Sequence, residues 1–186
     1  DLSLPKSAID RSFQLLSGYA KWNAEGYTWS FPEKNSKFTF GHLENEVDVH
    51  QYAGAQPDAM ALDEATQFTE YQYDFMRMIP RSVIAGWKPK IRLGTNPGGV
   101  GHGWFKKRFI DPAPPNTRFY LGKGKGKVSL RFIPAKVEDN TALVTADPGY
   151  IDRLDALPEK LRKAFREGRW DVFAGQFFTE WDQSRH

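Results

Sequence analysis

"ALDEATQF", residues 61–68, closes a short apolar run, Ala59-Met60-Ala61-Leu62, with two adjacent carboxylates, Asp63 and Glu64, and then small and polar residues. Two neighbouring acids at the end of a buried segment repel each other and lose hydration, so something must hold or neutralise them. The apolar run is too short for a helix and is bounded by Pro57 on one side and the acids on the other. It predicts a buried strand over 58–64 whose functional side chains lie at its C-terminal end.

A second strand of the same type follows. In "KPKIRLGTNPGG" (88–99) an apolar stretch, Ile91 to Gly94, stops abruptly at Thr95-Asn96-Pro97-Gly98-Gly99. Between the two strands, Thr69 and Gln72 have capping-box spacing and predict a helix to about Met78. Strand, helix and strand, with polar residues where the strands stop, predict an α/β sheet with its site at the strand ends.

Outside this centre the expected elements are simpler. Ser3-Leu4-Pro5 opens a helix with Ile9, Phe13, Leu16 and Ala20 on one stripe. Gly26 to Lys37 is turn-rich, and "KFTFGHL" (37–43) alternates as a strand. Trp104 to Ile110 predicts one or two helical turns. "TRFYLGKGKGKVSLRFIPA" (117–135) predicts a β-hairpin around a Gly/Lys loop. Asp147-Pro148 and Pro158-Glu159 begin two helices, the second capped by Gly168, and "GQFFTEW" (175–181) begins a further strand. The basic hairpin and the two late helices form an appended α+β subdomain. The expected division is therefore 1–115, 116–174 and 175–186.

Composition sets outer limits. Hydrophobic residues make up 40% of the 186 and aromatic residues 15%, enough for a packed core. Cysteine is absent, which excludes a disulfide scaffold and thiolate metal sites. No apolar run approaches the ~20 residues that span a bilayer. The net charge of +3 hides an asymmetry: residues 71–136 carry 14 bases against Asp74 and Asp111 alone. An excess of that size predicts contact with a polyanion such as nucleic acid. The candidate contacts are Lys123, Lys125 and Lys127 in the hairpin loop and Lys106, Lys107 and Arg108 before it.

An apolar strand ending in Asp-Glu is the Walker B arrangement of nucleotide hydrolases. The first acid holds Mg²⁺, usually through water, and the second orients the attacking water. Adjacent residues are needed, because alternate side chains on a strand point to opposite sides. The same string also occurs where a strand runs into a solvated turn. The second strand end makes the nucleotide reading more specific, since Thr95 and Asn96 are neutral donors and acceptors suited to a place beside a phosphate.

Four segments, in order across nearly the whole chain, resemble the large terminase subunit of tailed double-stranded-DNA phages. They are "FTFGHLENEVDVHQYAGAQPDAMALDEATQFTE" (38–70), "RLGTNPGGVGHGWFKKRFI" (92–110), "FIPAKVEDNTAL" (132–143) and "DPGYIDRLDALPEKLRKAFREGRWDVFAGQFFTEW" (147–181). The resemblance implies a partial P-loop NTPase (RecA/ASCE-like) sheet with helices, followed by a linking subdomain. It implies Asp63 as the magnesium acid, Glu64 as the catalytic carboxylate, and Thr95 and Asn96 in the motif that couples hydrolysis to movement. Arg81 matches an arginine-bearing helix end of the family, though by itself it reads as a solvated helix-end cation. ATP and Mg²⁺ are the implied cofactors of the complete protein. The implied partners are double-stranded DNA, the portal protein, the small terminase subunit and further copies of the chain in a ring. The implied place is the host cytoplasm, docked on a procapsid.

The sequence also departs from the family. It contains no G-x-x-x-x-G-K-[ST] string, and the glycines of "LGKGKGKV" (121–128) have the wrong spacing for a P-loop. The resemblance therefore implies a P-loop ahead of the first helix and an RNase H-like nuclease after "FFTEW", both outside these residues. Glu180 and Asp182 stand near the expected nuclease start and are not assigned to it. Little tightly bound nucleotide is expected of this portion alone. Two other readings stay open: a DEA-box-like helicase or translocase, and a non-catalytic DNA-binding or ring-interface module.

Overall fold

The computed structural model describes residues 8–173. It is a mixed α/β structure whose chain divides into two compact units, Asp1–Asp48 and Val49–His186. The strand expected over 175–181 lies outside the described residues.

The first unit joins helix α1 (Ala8–Leu16) to an antiparallel sheet of β1 (Lys21–Asn23), β2 (Thr28–Phe31) and β3 (Ser36–Thr39), in that order. Its register aligns Trp22 with Trp29 and Trp29 with Phe38, one aromatic residue from each strand. Trp29 is buried, with its ring 5.1 Å from Trp22 and 4.9 Å from Phe13 of α1. Its indole N–H donates to Ser12 Oγ at 2.8 Å, and that hydroxyl donates to the Ile9 carbonyl at 2.6 Å. The polar end of the tryptophan is thus satisfied inside an apolar contact. The segment read as turn-rich therefore contains β2. The third strand is displaced towards the N-terminus of its expected range.

The second unit is centred on the two expected strands. β4 (Ala59–Leu62) and β5 (Lys90–Leu93) pair in parallel, with Ala59 opposite Lys90 and Leu62 opposite Leu93. Helix α2 (Glu70–Met76) starts at the expected capping box: Thr69 accepts from the Gln72 main chain, and the Gln72 side chain accepts from Thr69 N–H. After β5, α3 (His102–Phe105) runs into a wide helical turn over Lys106–Ile110. Tyr73 of α2 stacks on Trp104 at 5.0 Å, and Phe109 meets Tyr73 edge-on at 5.6 Å. This aromatic contact fixes α2 against the segment that leaves β5.

The hairpin is β6 (Phe119–Leu121) and β7 (Val128–Leu130), paired antiparallel. Three short helices follow: α4 (Thr141–Ala146), α5 (Tyr150–Asp155) and α6 (Glu159–Phe165). The sequence predicts α5 and α6 but not α4. Gly168 adopts the positive φ of +65° expected after α6. Arg166 ties this region together through ion pairs with Glu138 and Asp155. Trp170 then returns to the centre, stacking on Phe105 at 5.1 Å and on His102 at 5.4 Å.

Thr69→Ala removes the side chain that receives the Gln72 N–H. It is expected to destabilise the chain by about 1 kcal/mol in urea unfolding, with Thr69→Ser close to the parent.

Candidate functional site

The site is where β4 and β5 stop. Pairing continues one step beyond the strands: Gly94 N–H donates to the Leu62 carbonyl and Ala65 N–H to the Gly94 carbonyl, each at 3.0 Å. A Cβ on Gly94 would come within 3.2 Å of Asp63 Oδ1, so the glycine lets the carboxylate lie close to the neighbouring strand. Asp63 and Glu64 are both exposed. Their charges face solvent, so the burial cost inferred from the sequence does not arise.

Glu64 is in the left-handed region, with φ 49° and ψ 47°. Such a conformation costs a non-glycine residue about 1–2 kcal/mol. It is held on both sides. Glu64 N–H donates to Asp63 Oδ1 at 3.1 Å, and the Glu64 carbonyl accepts from Gln67 N–H at 2.8 Å as a 3₁₀ turn over Ala65–Gln67 begins. The backbone reverses at the second acid, and the two adjacent side chains leave the strand from different backbone conformations.

Thr66, which the sequence did not single out, joins the two strand ends. It is 1% exposed. Its N–H donates to Thr95 Oγ1 at 3.1 Å, the two hydroxyl oxygens lie 2.8 Å apart, and each hydroxyl is within 3.2 Å of the Asn96 carbonyl. Two hydroxyl protons serve this group: one bridges the hydroxyls and the other reaches the carbonyl. Thr95 is therefore engaged in closing the strand ends. The Asn96 side chain is exposed beside it. The sequence signal for Thr66 was its place two residues after the acids, but its partner is 29 residues away.

The glycine loop wraps the same threonine. Gly101 N–H donates to the Thr66 carbonyl at 2.7 Å. Gly99, with φ +77°, passes so close that any side chain there would strike that carbonyl. Beyond it, Gly98 N–H donates to His102 Nδ1 at 3.1 Å, which fixes the proton of the neutral imidazole on Nε2. His102 is 4% exposed, and Nε2 is buried without a hydrogen-bond partner. Burial pushes its pKa below the ordinary 6.5.

Glu64, Thr66, Gln67, Asn96 and Pro97 to Gly99 line a cleft of about 200 Å³ together with Leu161, Phe165 and Phe173. This lies below the ~300–1,000 Å³ of a small-molecule pocket. Among the described residues no three His, Asp or Glu side chains gather to hold a metal. A second cleft of about 390 Å³ is lined by Lys136, Arg162, Arg166 and Arg169, with Glu138, Asp155 and Glu167 among them. Arg166 and Arg162 are paired with those acids, and Arg169 with Asp171.

The other nominated cations separate by environment. Arg108 donates to Asp74 at 2.6 Å and Glu70 at 2.7 Å, and its guanidinium lies 5.1 Å from the Tyr73 ring centroid. Its hydrogen bond holds the Asp74 carboxyl below the ordinary carboxylate value. Lys106 pairs with Asp111 at 2.5 Å. Lys107, Lys123 and Lys127 are exposed. The side chain of Lys125 lies outside the described residues. Arg81 is exposed, with a long 3.4 Å bond to the Ala55 carbonyl.

No protein-family model, curated protein or solved structure matches the chain.

Thr66→Val keeps the shape but leaves Thr95 Oγ1 and the Asn96 carbonyl with a lost partner. A destabilisation of about 1–3 kcal/mol in urea unfolding is expected, largely recovered in Thr66→Ser. His102 gives a pH signature. Its pKa is lower folded than unfolded, so the unfolded chain binds more protons between the two values. Its contribution is complete above the ordinary value and lost as pH falls through the folded one. The melting temperature should fall from about pH 7 to about pH 5 more steeply in the parent than in His102→Gln.

Proposed function

We propose that the chain is the acid and coupling side of a nucleotide-driven DNA motor, the later part of the ATPase core and the linking subdomain of a large terminase subunit. The observation that supports this most directly is the joined strand end. Two parallel strands stop side by side, the Asp63-Glu64 pair follows one, Thr95-Asn96 follows the other, and the hydroxyls of buried Thr66 and half-buried Thr95 connect them.

The donor set suits a Mg²⁺–ATP terminal phosphate. Exposed carboxylates stand beside a neutral amide and a glycine loop, in a cleft too small for a whole nucleotide. When bound, the nucleotide supplies the phosphoanhydride whose hydrolysis drives the motor, and the magnesium supplies neutralising charge. Asp63 would hold that ion through water. Glu64 would accept a hydrogen bond from the attacking water and orient it. Its left-handed backbone is a local cost of the kind found where geometry serves chemistry. Asn96 would offer its amide to the same region. Thr95 would act through the closure: a shift at the β5 end is passed to the residues directly after Glu64. The backbone cradle and lysine of a P-loop would come from outside these residues.

The hydroxyl closure also suits the helicase alternative, which shares this chemistry and differs in output. The four ordered segments favour the packaging motor, with double-stranded DNA, a portal and a ring of copies as its setting.

The test is a set of variants in the full-length protein, P-loop included. Glu64→Gln is expected to bind ATP normally and to hydrolyse it roughly 10²–10⁴-fold more slowly, the usual worth of a positioned acid–base group. Asp63→Asn should weaken Mg²⁺-dependent binding. Thr95→Ala should retain part of the hydrolysis while translocating little DNA. Near-normal single-turnover hydrolysis by Glu64→Gln would remove the chemical centre of the proposal.

A further inference from the structure

The β6–β7 hairpin has two unlike faces. Its register places Phe119 opposite Leu130, Tyr120 opposite Ser129, and Leu121 opposite Val128. Side chains alternate across a strand, so Phe119, Leu121, Val128 and Leu130 share one face, of which Phe119 and Leu130 are partly buried. Tyr120 and Ser129 occupy the other face and are exposed. The same alternation carries Arg118 and Arg131, which follow as the next cross-strand pair at the open end of the hairpin, onto the face of Tyr120 and Ser129. Lys127 lies over Tyr120 with its ammonium 4.4 Å from the ring centroid, and so belongs to this face as well.

Three cations, a tyrosine and a hydroxyl thus share one exposed surface. Arg118, Lys127 and Arg131 take part in none of the ion pairs among the described residues. The contrast with Arg108 and Lys106 is sharp, since their charges are neutralised by Asp74, Glu70 and Asp111. Placing like charges at neighbouring positions across a hairpin is unfavourable by itself. A polyanion laid across the face reverses the sign of that cost, because each cation then neutralises a phosphate and releases a counterion.

We propose that the face formed by Arg118, Tyr120, Lys127, Ser129 and Arg131 is a phosphate-backbone contact surface for double-stranded DNA. It is the face of the hairpin, more than the lysine-rich tip, that touches the duplex. The arginines and lysine neutralise phosphates, and the Ser129 and Tyr120 hydroxyls can donate to phosphate oxygens. None of these contacts reads base sequence. The choice of duplex DNA as the polyanion rests on the motor reading above; the surface itself does not.

The test is equilibrium binding of the 186-residue chain to a mixed-sequence 30-base-pair duplex, by fluorescence anisotropy across a salt series without nucleotide. In a triple variant, Arg118→Gln, Lys127→Gln and Arg131→Gln, the slope of log K against log salt should shrink by about 2.7, near 0.9 for each lost phosphate contact. Lys123→Gln at the tip should change it by clearly less than one contact. An unchanged melting temperature and far-ultraviolet spectrum show that the triple variant is folded. A parent that does not bind, or a folded triple variant with the parent's slope, overturns the proposal. So does tighter, Tyr120-dependent binding to a single strand, which would make the face a base-stacking surface. Because no nucleotide is present, failure here leaves the Glu64 assignment untouched, and failure of the hydrolysis assay leaves this surface standing.

Discussion

The second unit turns on one small buried contact, the hydroxyl bridge between Thr66 and Thr95. Two parallel strands in register bring their ends together, but pairing stops at Ala65 and Gly94. Beyond that point the chains must diverge, one into a 3₁₀ turn and the other into a proline–glycine loop. The threonines hold them together for one more residue. Because Thr66 is also the residue that Gly99 and Gly101 wrap, closure of the strand ends and folding of the glycine loop depend on the same side chain. Burying a hydroxyl pair is favourable only if both protons are used, and the Asn96 carbonyl supplies the second acceptor.

Support for this centre comes from aromatic packing. Parallel strands ordinarily have both faces covered, and a pair alone is a weak unit. Tyr73, Trp104, Phe105, Phe109 and Trp170 make a connected series of ring contacts between 4.7 and 6.3 Å. His102 extends the series to the glycine loop: one ring nitrogen accepts from Gly98, and the ring itself stacks on Trp170. The glycine loop is therefore two contacts from Trp170, which follows the last helix.

Much of this was legible in the sequence because the signals were local. The capping box at Thr69 and Gln72, the two strand stops, the hairpin and the glycine after α6 each depend on residues close together, and each stands where expected. What was not legible depended on distance. β2 is four residues long and lies between Tyr27 and Asn35, both in the left-handed region, so no alternation develops before the next turn. Its identity becomes clear only when Trp22, Trp29 and Phe38 are aligned. Thr66 and Thr95, separated by 29 residues, gave no pattern. Arg108 looked like any other member of a basic run, because Asp74 and Glu70 stand 34 and 38 residues before it.

Charge counting has the same limit. A net excess along a segment measures how strongly a region attracts anions only if its cations face outwards. Here the excess divides in two. Arg77, Lys106 and Arg108 are held by carboxylates, and Arg108 ties the wide turn to α2 through Glu70 and Asp74. Arg118, Lys127 and Arg131 are left outside, around an exposed tyrosine. The first group lowers the local field and the second produces it. A segment that reads as uniformly basic is therefore part structural clamp and part external surface, and only the pairing of each guanidinium and ammonium separates the two.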